Sequence, residues 1–270
     1  KDYTFLSNPY FPTKEFMREI EVELPNLIHH YPSNLSVNRV LLSALLNVDE
    51  QFVLPLNGAA EIIPDFINFF DRQFILNDTF LEYKNRAKNG IVFKDLNKIR
   101  PGKNDLVIIV NPNNPDGLIH SRESLIGALK NHTKTTFLID ESFIEFARNK
   151  ESATLQKNTI FSEFENLFIL RSIGKTHGVG GLRLGALIGN RASDFERNLP
   201  IWNINSVAEY FLQRYKKYEK KYHESVEQIK EQRDYLEQEI PKYLNVKMNE
   251  SNGNFVFFQY LDGDYGKLES

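Results

Sequence analysis

Residues 106–110 are all aliphatic, and four of the five are β-branched. Such a run is typical of a strand that is buried on both faces, as in parallel sheets covered by helices. A second run, 136–139, follows a helical stretch at 121–129. This alternation predicts an α/β fold, in which a large domain has a mostly parallel central sheet with helices on both faces.

Three polar clusters follow apolar runs of this kind. Asn114 lies in the turn 111–117, Asp140 follows the run 136–139, and Lys175 lies in the glycine-rich stretch 169–185. The intervals between them each accommodate one helix crossover with its loops, which returns the chain to the same edge of a parallel sheet. We therefore expect Asn114, Asp140 and Lys175 to converge at the carboxyl edge of the sheet, where α/β proteins bind ligands.

Lys175 is framed by glycines, which allow the backbone to approach a bulky ligand closely. A lysine in such a place is partly desolvated, which lowers the pKa of its amine and frees the amine to attack a carbonyl. A solvated glycine-rich turn is the simpler interpretation of this stretch taken alone. The polar clusters at Asn114 and Asp140 favour the reactive lysine.

A candidate anion site lies further upstream. A short strand at 52–56 is followed by the small-residue turn 57–61 and an apolar helix at 62–70. Backbone N–H groups at the start of a helix can cradle an anion. The stretch is not a Walker A motif because the G-K-[ST] ending is absent. Taken alone it is a weak signal.

The remaining segments outline the domain organisation. We predict an extended arm at 5–12, helices at 16–27, 36–46 (with Ser36 as N-cap) and 83–87, a strand at 74–76, a long helix at 206–240 ended by Pro241, and a β element at 254–258. The aromatic residues of the long helix are predicted to pack in the core. We divide the chain into an arm with part of a small domain (1–30), a large domain (31–204), and an interdomain helix with an incomplete small α+β domain (205–270), whose end looks truncated.

Composition excludes several classes of function. The 270 residues carry a net charge of −3, which disfavours nucleic acid or an anionic membrane as a partner. Cysteine is absent, so disulfide scaffolds and thiolate chemistry are excluded. The histidines form no metal-ligand spacing, and no apolar stretch is long enough to span a membrane. We expect a soluble, cytoplasmic protein without a metal site.

Three motifs in this order resemble the fold-type-I enzymes that use pyridoxal 5′-phosphate (PLP), within the class I and II aminotransferases. They are Asn-Pro-Asn-Asn-Pro-Asp-Gly at 111–117, Asp-Glu-Ser-Phe-Ile-Glu-Phe at 140–146, and Ser-Ile-Gly-Lys with Gly-Leu-Arg-Leu-Gly within 172–185. The resemblance extends from residue 8 to about residue 258, and is greatest to histidinol-phosphate aminotransferases and threonine-phosphate decarboxylases.

The resemblance implies roles for the residues around the cofactor ring. Lys175 matches the lysine that attaches PLP covalently and then moves the proton at the substrate carbon. Asp140 matches the carboxylate that pairs with the pyridine nitrogen and keeps it protonated. Asn114 matches an amide that hydrogen-bonds the ring hydroxyl. Phe80 matches the aromatic residue stacked on the ring, with Tyr83 as the less favoured candidate.

The resemblance also implies a phosphate site and a dimer. Gly58, Ala59 and Ala60 match the backbone cradle of the phosphate, and Ser172 and Arg183 match its hydroxyl and guanidinium contacts. Tyr31 matches a tyrosine that reaches the phosphate of the neighbouring subunit, which implies a homodimer with shared active sites.

Asn8 and Phe143 complete the implied site, Asn8 as a substrate contact and Phe143 as a cofactor contact. Phe143 stands where aminotransferases usually carry a tyrosine that donates to the ring oxygen, and with residues 170–172 and Asn8-Pro9 it favours the decarboxylase side. No residue matches the family's carboxylate-binding arginine. Three further departures from the pattern are Ala60, Asp116 and Gly174.

Three functions remain open. Amino transfer between an amino acid, phosphorylated or not, and a 2-oxo acid ranks first because that family is larger. Decarboxylation of a phosphorylated hydroxy-amino acid, such as threonine phosphate or serine phosphate, is the alternative. A non-catalytic scaffold ranks last, because a scaffold needs neither Lys175 nor Asp140.

Overall fold

The apolar runs form a seven-stranded sheet in the computed structural model, which describes residues 6–263. The strands, in chain order, are β1 (Val53–Asn57), β2 (Arg72–Leu76), β3 (Gly90–Phe93), β4 (Asp105–Val110), β5 (Thr136–Asp140), β6 (Leu167–Ser172), β7 (Leu184–Ile188), β8 (Val246–Asn249) and β9 (Phe257–Tyr260). The helices are α1 (Lys14–His29), α2 (Leu35–Leu46), α3 (Ile63–Asn68), α4 (Leu81–Arg86), α5 (Arg122–Asn131), α6 (Asn158–Glu163), α7 (Ile173–Thr176) and α8 (Ser206–Tyr243).

The central sheet is mostly parallel, which confirms the predicted α/β class. Its strand order is β1-β7-β6-β5-β4-β2-β3, and only β7 runs antiparallel to its neighbours, β1 and β6. The link from β6 to β7 contains only the four-residue α7 and a 3₁₀ turn. This link is too short to form a crossover helix, so β7 returns beside β6 in the opposite direction. Strands β8 and β9 form a separate antiparallel pair.

Both faces of the sheet are buried, as the strand composition predicts. Val107 and Ile109 of β4 point into the apolar cluster that contains residues of α2 and α8. Leu106, Ile108 and Val110 point into the other cluster, which contains residues of α3. The alternation follows the two-residue period of a strand. Neither face of β4 is therefore available for a ligand, and ligand binding is confined to the strand ends.

Helices α1 and α8 pack together through aromatic rings. The ring of Phe16 stacks on Phe211 at 5.0 Å and on Tyr218 at 4.4 Å between centroids. Tyr215 and Tyr222 of α8 are also buried. The aromatic residues of the long helix are thus core residues, as predicted, and this packing anchors the N-terminal helix to the rest of the protein.

Several predicted element ends are wrong. Helix α1 runs from Lys14 through Pro25 to His29 instead of covering 16–27, and α8 extends past Pro241 to Tyr243. Packing of α1 on α8 outweighs the backbone hydrogen bond lost at Pro25. The N-cap of α2 is Asn34, whose Oδ1 accepts from the Val37 N–H at 3.2 Å, whereas the prediction was Ser36. Strand β3 was not predicted, because most of its side chains are exposed.

Other sequence predictions are not tested by the described residues. Phe5, the first residue of the predicted arm, and residues 264–270 lie outside them, and the three-part domain division remains a prediction. Within residues 6–263, no helix combines the length and apolar character that a membrane span requires.

Strand β7 supports the turn after β1 through the absence of a side chain at Gly185. A Cβ there would lie 2.4 Å from the Ala59 nitrogen and 2.7 Å from the Gly58 carbonyl carbon. We predict that Gly185→Ala lowers the free energy of unfolding in urea by about 1–3 kcal/mol, because both obstacles are backbone atoms. The control Gly127→Ala, in α5 with open space around it, should instead raise it by about 0.5–1 kcal/mol. Equal effects of the two substitutions would contradict this packing.

Candidate active site

A cavity of about 160 Å³ lies at the carboxyl ends of β5 and β6. Parallel strands end at the same edge, so side chains far apart in sequence meet there. Its wall consists of Gly58, Ala59, Ala60, Ile63, Phe80, Asp140, Ser142, Ser172, Gly174, Lys175, Gly180, Arg183 and Leu184. The structure therefore brings together most of the residues that the sequence predicts for a cofactor site.

Asp140, the last residue of β5, is held by three hydrogen bonds. Its Oδ1 accepts from the backbone N–H of Ser142 at 3.0 Å and from the Ser142 hydroxyl at 2.5 Å. Its Oδ2 accepts from the Tyr83 hydroxyl at 2.6 Å. Burial, and secondarily Asp140, raises the pKa of Tyr83 well above its usual value, so the tyrosine stays a donor. The carboxylate is thus fixed in a defined direction.

Lys175, in α7, presents its amine to the same cavity. Its Nζ makes no hydrogen bond or ion pair with any residue in 6–263, and lies 4.5 Å from the ring centroid of Phe143 and 5.6 Å from that of Phe80. Burial lowers the pKa of the Lys175 amine, while Asp140 opposes this and Arg183 reinforces it. A larger fraction of the amine is therefore neutral near pH 8 than for a solvated lysine, as covalent attachment to an aldehyde requires.

The turn after β1 forms an anion cradle with Arg183. Gly58 has a φ of 77°, and the 3₁₀ turn Ala59–Glu61 begins directly after it. The first N–H groups of such a turn have no partner inside it. The Arg183 guanidinium packs over Gly58, where an added Cβ would lie 2.6 Å from Nη2. Since Arg183 pairs with no carboxylate of the described chain, this group of donors fits a phosphate.

Phe80 is positioned by a hydrogen bond of Thr79, the residue that precedes it. The Thr79 hydroxyl donates to Oδ1 of Asn113 at 2.7 Å, and the Asn113 amide donates to the Asp78 carbonyl at 3.0 Å. These bonds tie the segment before α4 to the turn 111–117. Phe80 thereby reaches the cavity wall, as predicted for a ring that stacks on a flat ligand.

Asn114 is not in the wall of the cavity, although the sequence predicts that it meets Asp140 and Lys175. The neighbouring Asn113 is the buried residue of the pair, and hydrogen bonds to Thr79, Asp78 and Asp116 use its side chain. Asn114 is half-buried in the turn that follows β4. Its contact with the ring hydroxyl remains a prediction, whereas Asp140 and Lys175 do meet in one cavity.

Asn8 makes internal contacts, and its assignment to the substrate remains a prediction. Its Nδ2 donates to the Thr176 carbonyl at 3.0 Å and to the Ser225 hydroxyl at 2.8 Å, and its Oδ1 accepts from the Tyr10 N–H. Its backbone N–H donates to the Lys175 carbonyl at 2.9 Å. Both amide protons are used. Asn8 therefore joins the N-terminal arm to α7 and α8.

Two further predicted residues lie outside the cavity wall. Phe143 is buried behind Lys175 and contacts its amine from there. Tyr31 is 79% exposed and stacks on Trp202 at 4.4 Å, on a surface that does not include the cavity wall. Its contact with the phosphate of a neighbouring subunit remains a prediction.

A buried ion cluster that sequence reasoning missed supports α7 from behind. Arg171 pairs with Glu145, and its Nη1 donates to Gln156 at 2.8 Å. Burial raises the pKa of Glu145, but the positive charges of Arg171 and Lys150 outweigh burial and lower this pKa to about 2. The sign of this cluster in the sequence is Arg171, a charged residue that directly follows the apolar run 167–170. Tyr83 and Ser142 were also missed as partners of Asp140.

The sequence profile of the family described as aminotransferase class I and II matches residues 80–267. An L-serine phosphate decarboxylase of Campylobacter jejuni is 30% identical, over 97% of this chain and 75% of its own length. The solved histidinol-phosphate aminotransferase of Clostridium acetobutylicum is 28% identical, with a TM-score of 0.86, over 99% of this chain and 85% of that one. That of Sinorhizobium meliloti, in complex with PLP, shares the fold at 14% identity and a TM-score of 0.78, over 97% and 75% of the two chains.

The bond between Tyr83 and Asp140 can be tested in the cofactor-free protein. Tyr83→Phe removes one of three donors and leaves a buried carboxylate oxygen without it, so we predict a loss of about 1.5–3 kcal/mol in the free energy of unfolding. Urea unfolding followed by circular dichroism measures this loss. The control Tyr235→Phe, at a residue 56% exposed on α8, should change stability by less than about 0.5 kcal/mol. If the two variants unfold alike, Asp140 does not depend on Tyr83.

Proposed function

Because the chain belongs to the aminotransferase class I and II family, we propose that it is a PLP-dependent decarboxylase of a phosphorylated hydroxy-amino acid. The observation that carries this choice is the 30% identity, over 97% of the chain, to an L-serine phosphate decarboxylase. L-serine O-phosphate is therefore the first substrate to test. Amino transfer, the first-ranked function in the sequence analysis, becomes the second candidate. The similarity to histidinol-phosphate aminotransferases supports it.

PLP is the cofactor, and the residues at the cavity fit it. When bound, PLP withdraws electrons from the Cα of the substrate, so that the bond from Cα to the carboxylate can break. We assign Asp140 to the pyridine nitrogen, because its carboxylate is fixed and anionic groups favour the protonated ring. We assign Arg183, Ser172 and the N–H groups of Ala59 and Ala60 to the phosphate.

Lys175 has two roles in the proposal. Its neutral amine attaches the cofactor, which is helped by the burial that lowers the pKa of the amine. After the carboxylate leaves as CO₂, the electron pair of the broken bond must be taken up by a proton at Cα. We assign the proton donation to Lys175, since it is the amine in the cavity wall. It would donate from its ammonium form, having first taken a proton from the ammonium group of the incoming substrate.

The surroundings of Lys175 support decarboxylation. Phe143, where aminotransferases usually carry a tyrosine, and Phe80 place apolar rings beside the amine. A carboxylate that leaves as CO₂ loses its charge, so apolar surroundings favour its departure, whereas a paired guanidinium would retain it. Among residues 6–263, the one arginine in the cavity wall is Arg183, which we assign to the cofactor phosphate.

The substrate proposal predicts CO₂ release without an amino-group acceptor. The PLP-loaded protein is incubated with L-serine O-phosphate or L-threonine O-phosphate, with and without 2-oxoglutarate, and CO₂ and the phosphorylated amine are measured by mass spectrometry. Lys175→Ala should reduce turnover by about 10²–10⁴-fold, the usual contribution of a proton-transfer group. The control Lys221→Ala, at a solvated lysine of α8, should not reduce it. L-histidinol phosphate is tested as a further amino donor in the same assay. Formation of glutamate from 2-oxoglutarate without release of CO₂, with any of these donors, would instead establish an aminotransferase.

We also propose that a second copy of the chain covers the surface formed by Ile28, Tyr31, Ile201 and Trp202. These residues are 45–79% exposed, and the stacked Tyr31 and Trp202 rings present contiguous apolar area. Contiguous exposed aromatic area of this kind marks interfaces. A dimer formed there would allow Tyr31 to act in the partner's site, as the family resemblance implies.

The dimer proposal predicts that Tyr31→Ala combined with Trp202→Ala weakens self-association. We expect the dimer dissociation constant to rise by about 30-fold or more, since an interface residue of this kind contributes about 2 kcal/mol or more. Light scattering across a dilution series, together with the affinity for PLP, measures the effect. Tyr243→Ala, at a residue 80% exposed at the end of α8, is the control. A wild-type protein that is monomeric at every concentration would overturn the proposal.

A further inference from the structure

The segment 251–255, which follows β8, docks directly on the turn after β4. Ser251 is fully buried, and its Cα and side chain pack against Gly117, where an added Cβ would lie 2.5 Å from the serine Oγ. The Asn252 N–H donates to the Gly117 carbonyl at 3.0 Å. The C-terminal part of the described chain is thus held on the same edge of the sheet as the active site.

Arg233 of α8 binds this segment through hydrogen bonds. Its side chain is buried, and its Nη1 donates to the Phe146 carbonyl at 2.6 Å and to the Gly253 carbonyl at 3.1 Å. Phe146 belongs to the stretch that begins with Asp140, so one guanidinium connects the active-site segment to the C-terminal segment. A planar group with several fixed donors is suited to join two carbonyls in this way.

The connection has a consequence for Lys175. The ring of Phe255 meets the ring of Phe143 edge-on, with centroids 5.5 Å apart and planes at 90°. Phe143 in turn lies 4.5 Å from the Lys175 amine. Phe255 therefore packs on the Phe143 ring, which in turn packs on the Lys175 amine. Gly253, two residues before Phe255, is the residue whose carbonyl Arg233 binds.

We propose that Arg233 is a positioning residue which, by holding Gly253 to Phe146, keeps Phe255 on Phe143 and so excludes water from the Lys175 amine. The effect passes through packing, because the charges that act on Lys175 are those of Asp140 and Arg183. Arg233 itself faces Asp234, Arg148 and Glu237. This inference rests on the proposed role of Lys175 as the lysine that attaches the cofactor.

The test uses the cofactor-free protein and reads the amine directly. Competitive labelling with acetic anhydride, followed by peptide mass spectrometry, gives the reactivity of Lys175 as a function of pH and separates it from the other lysines. The midpoint of the profile reports the pKa of the amine, and its plateau reports access of the reagent. A change that only altered how easily the reagent reaches the amine, without changing its hydration, would change the plateau and leave the midpoint in place.

In the wild type we expect the midpoint of Lys175 below the value of a solvated lysine. Phe255→Ala and Arg233→Met should move the midpoint upward, because water then stabilises the ammonium form. We expect the neutral fraction of the amine at pH 8, which is calculated from the midpoint, to fall by about three- to tenfold. Arg233→Lys retains a donor for the two carbonyls, so it should move the midpoint less than Arg233→Met does.

Two matched variants control the experiment. Phe257→Ala removes a neighbouring aromatic residue that lies on β9 and is 37% exposed. Arg148→Met removes a nearby arginine that pairs with Asp234, Glu237 and Glu250. Neither should move the midpoint of Lys175. An unchanged midpoint in Arg233→Met or in Phe255→Ala, or an equal shift in Phe257→Ala, would overturn the inference whatever the CO₂ assay shows. A failed CO₂ assay would leave the labelling result intact.

Discussion

The fixed carboxylate of Asp140 is the interaction on which the active site depends. A buried carboxylate is costly unless hydrogen bonds satisfy it, and Ser142 and Tyr83 provide three. These donors come from different parts of the chain, so satisfying Asp140 also fixes α4 against the end of β5. Phe80, which directly precedes α4, is placed in the cavity wall by the same constraint. The residues proposed to pair with the pyridine nitrogen and to stack on the ring, Asp140 and Phe80, are thus positioned together.

Helix α7 separates two electrostatic environments. The residues of β6 alternate between faces, so Ser172 reaches the cofactor cavity while Arg171 points to the opposite side. There Glu145 and Gln156 take up the hydrogen bonds of the Arg171 guanidinium. The amine of Lys175 consequently lies beside apolar rings, with Asp140 and Arg183 as the charges that act on it. Arg171, four residues before Lys175 in the sequence, has its charge paired with Glu145 on the far side of the strand and is not among the charges that act on the amine.

The sequence was sufficient to predict the sheet and the convergence of Asp140 and Lys175 on one cavity, because strand burial and strand ends leave local patterns. It was not sufficient for contacts that depend on how distant elements dock. Tyr83 meets Asp140 across 57 positions, and Asn8 meets Ser225 across 217. Adjacent residues of the same type are also ambiguous. In the pair at 113 and 114, only the packing around Thr79 shows that Asn113 is the buried structural amide.

The choice between the two proposed reactions depends on what surrounds the substrate carboxylate, because the roles proposed for Lys175 and Asp140 would serve amino transfer and decarboxylation equally. Amino transfer retains the carboxylate, so it requires a cation that binds this group throughout the reaction. Decarboxylation requires the carboxylate to lose its charge, which an apolar wall favours. In the part of the site formed by residues 6–263, Arg183 lies over Gly58, and Phe143, with Phe255 against it, is buried beside the Lys175 amine behind the cavity wall. That distribution of charge and apolar rings accords with the proposed loss of CO₂, and it links the proposal to a segment that the turn after β4 and the buried Arg233 of α8 hold in place.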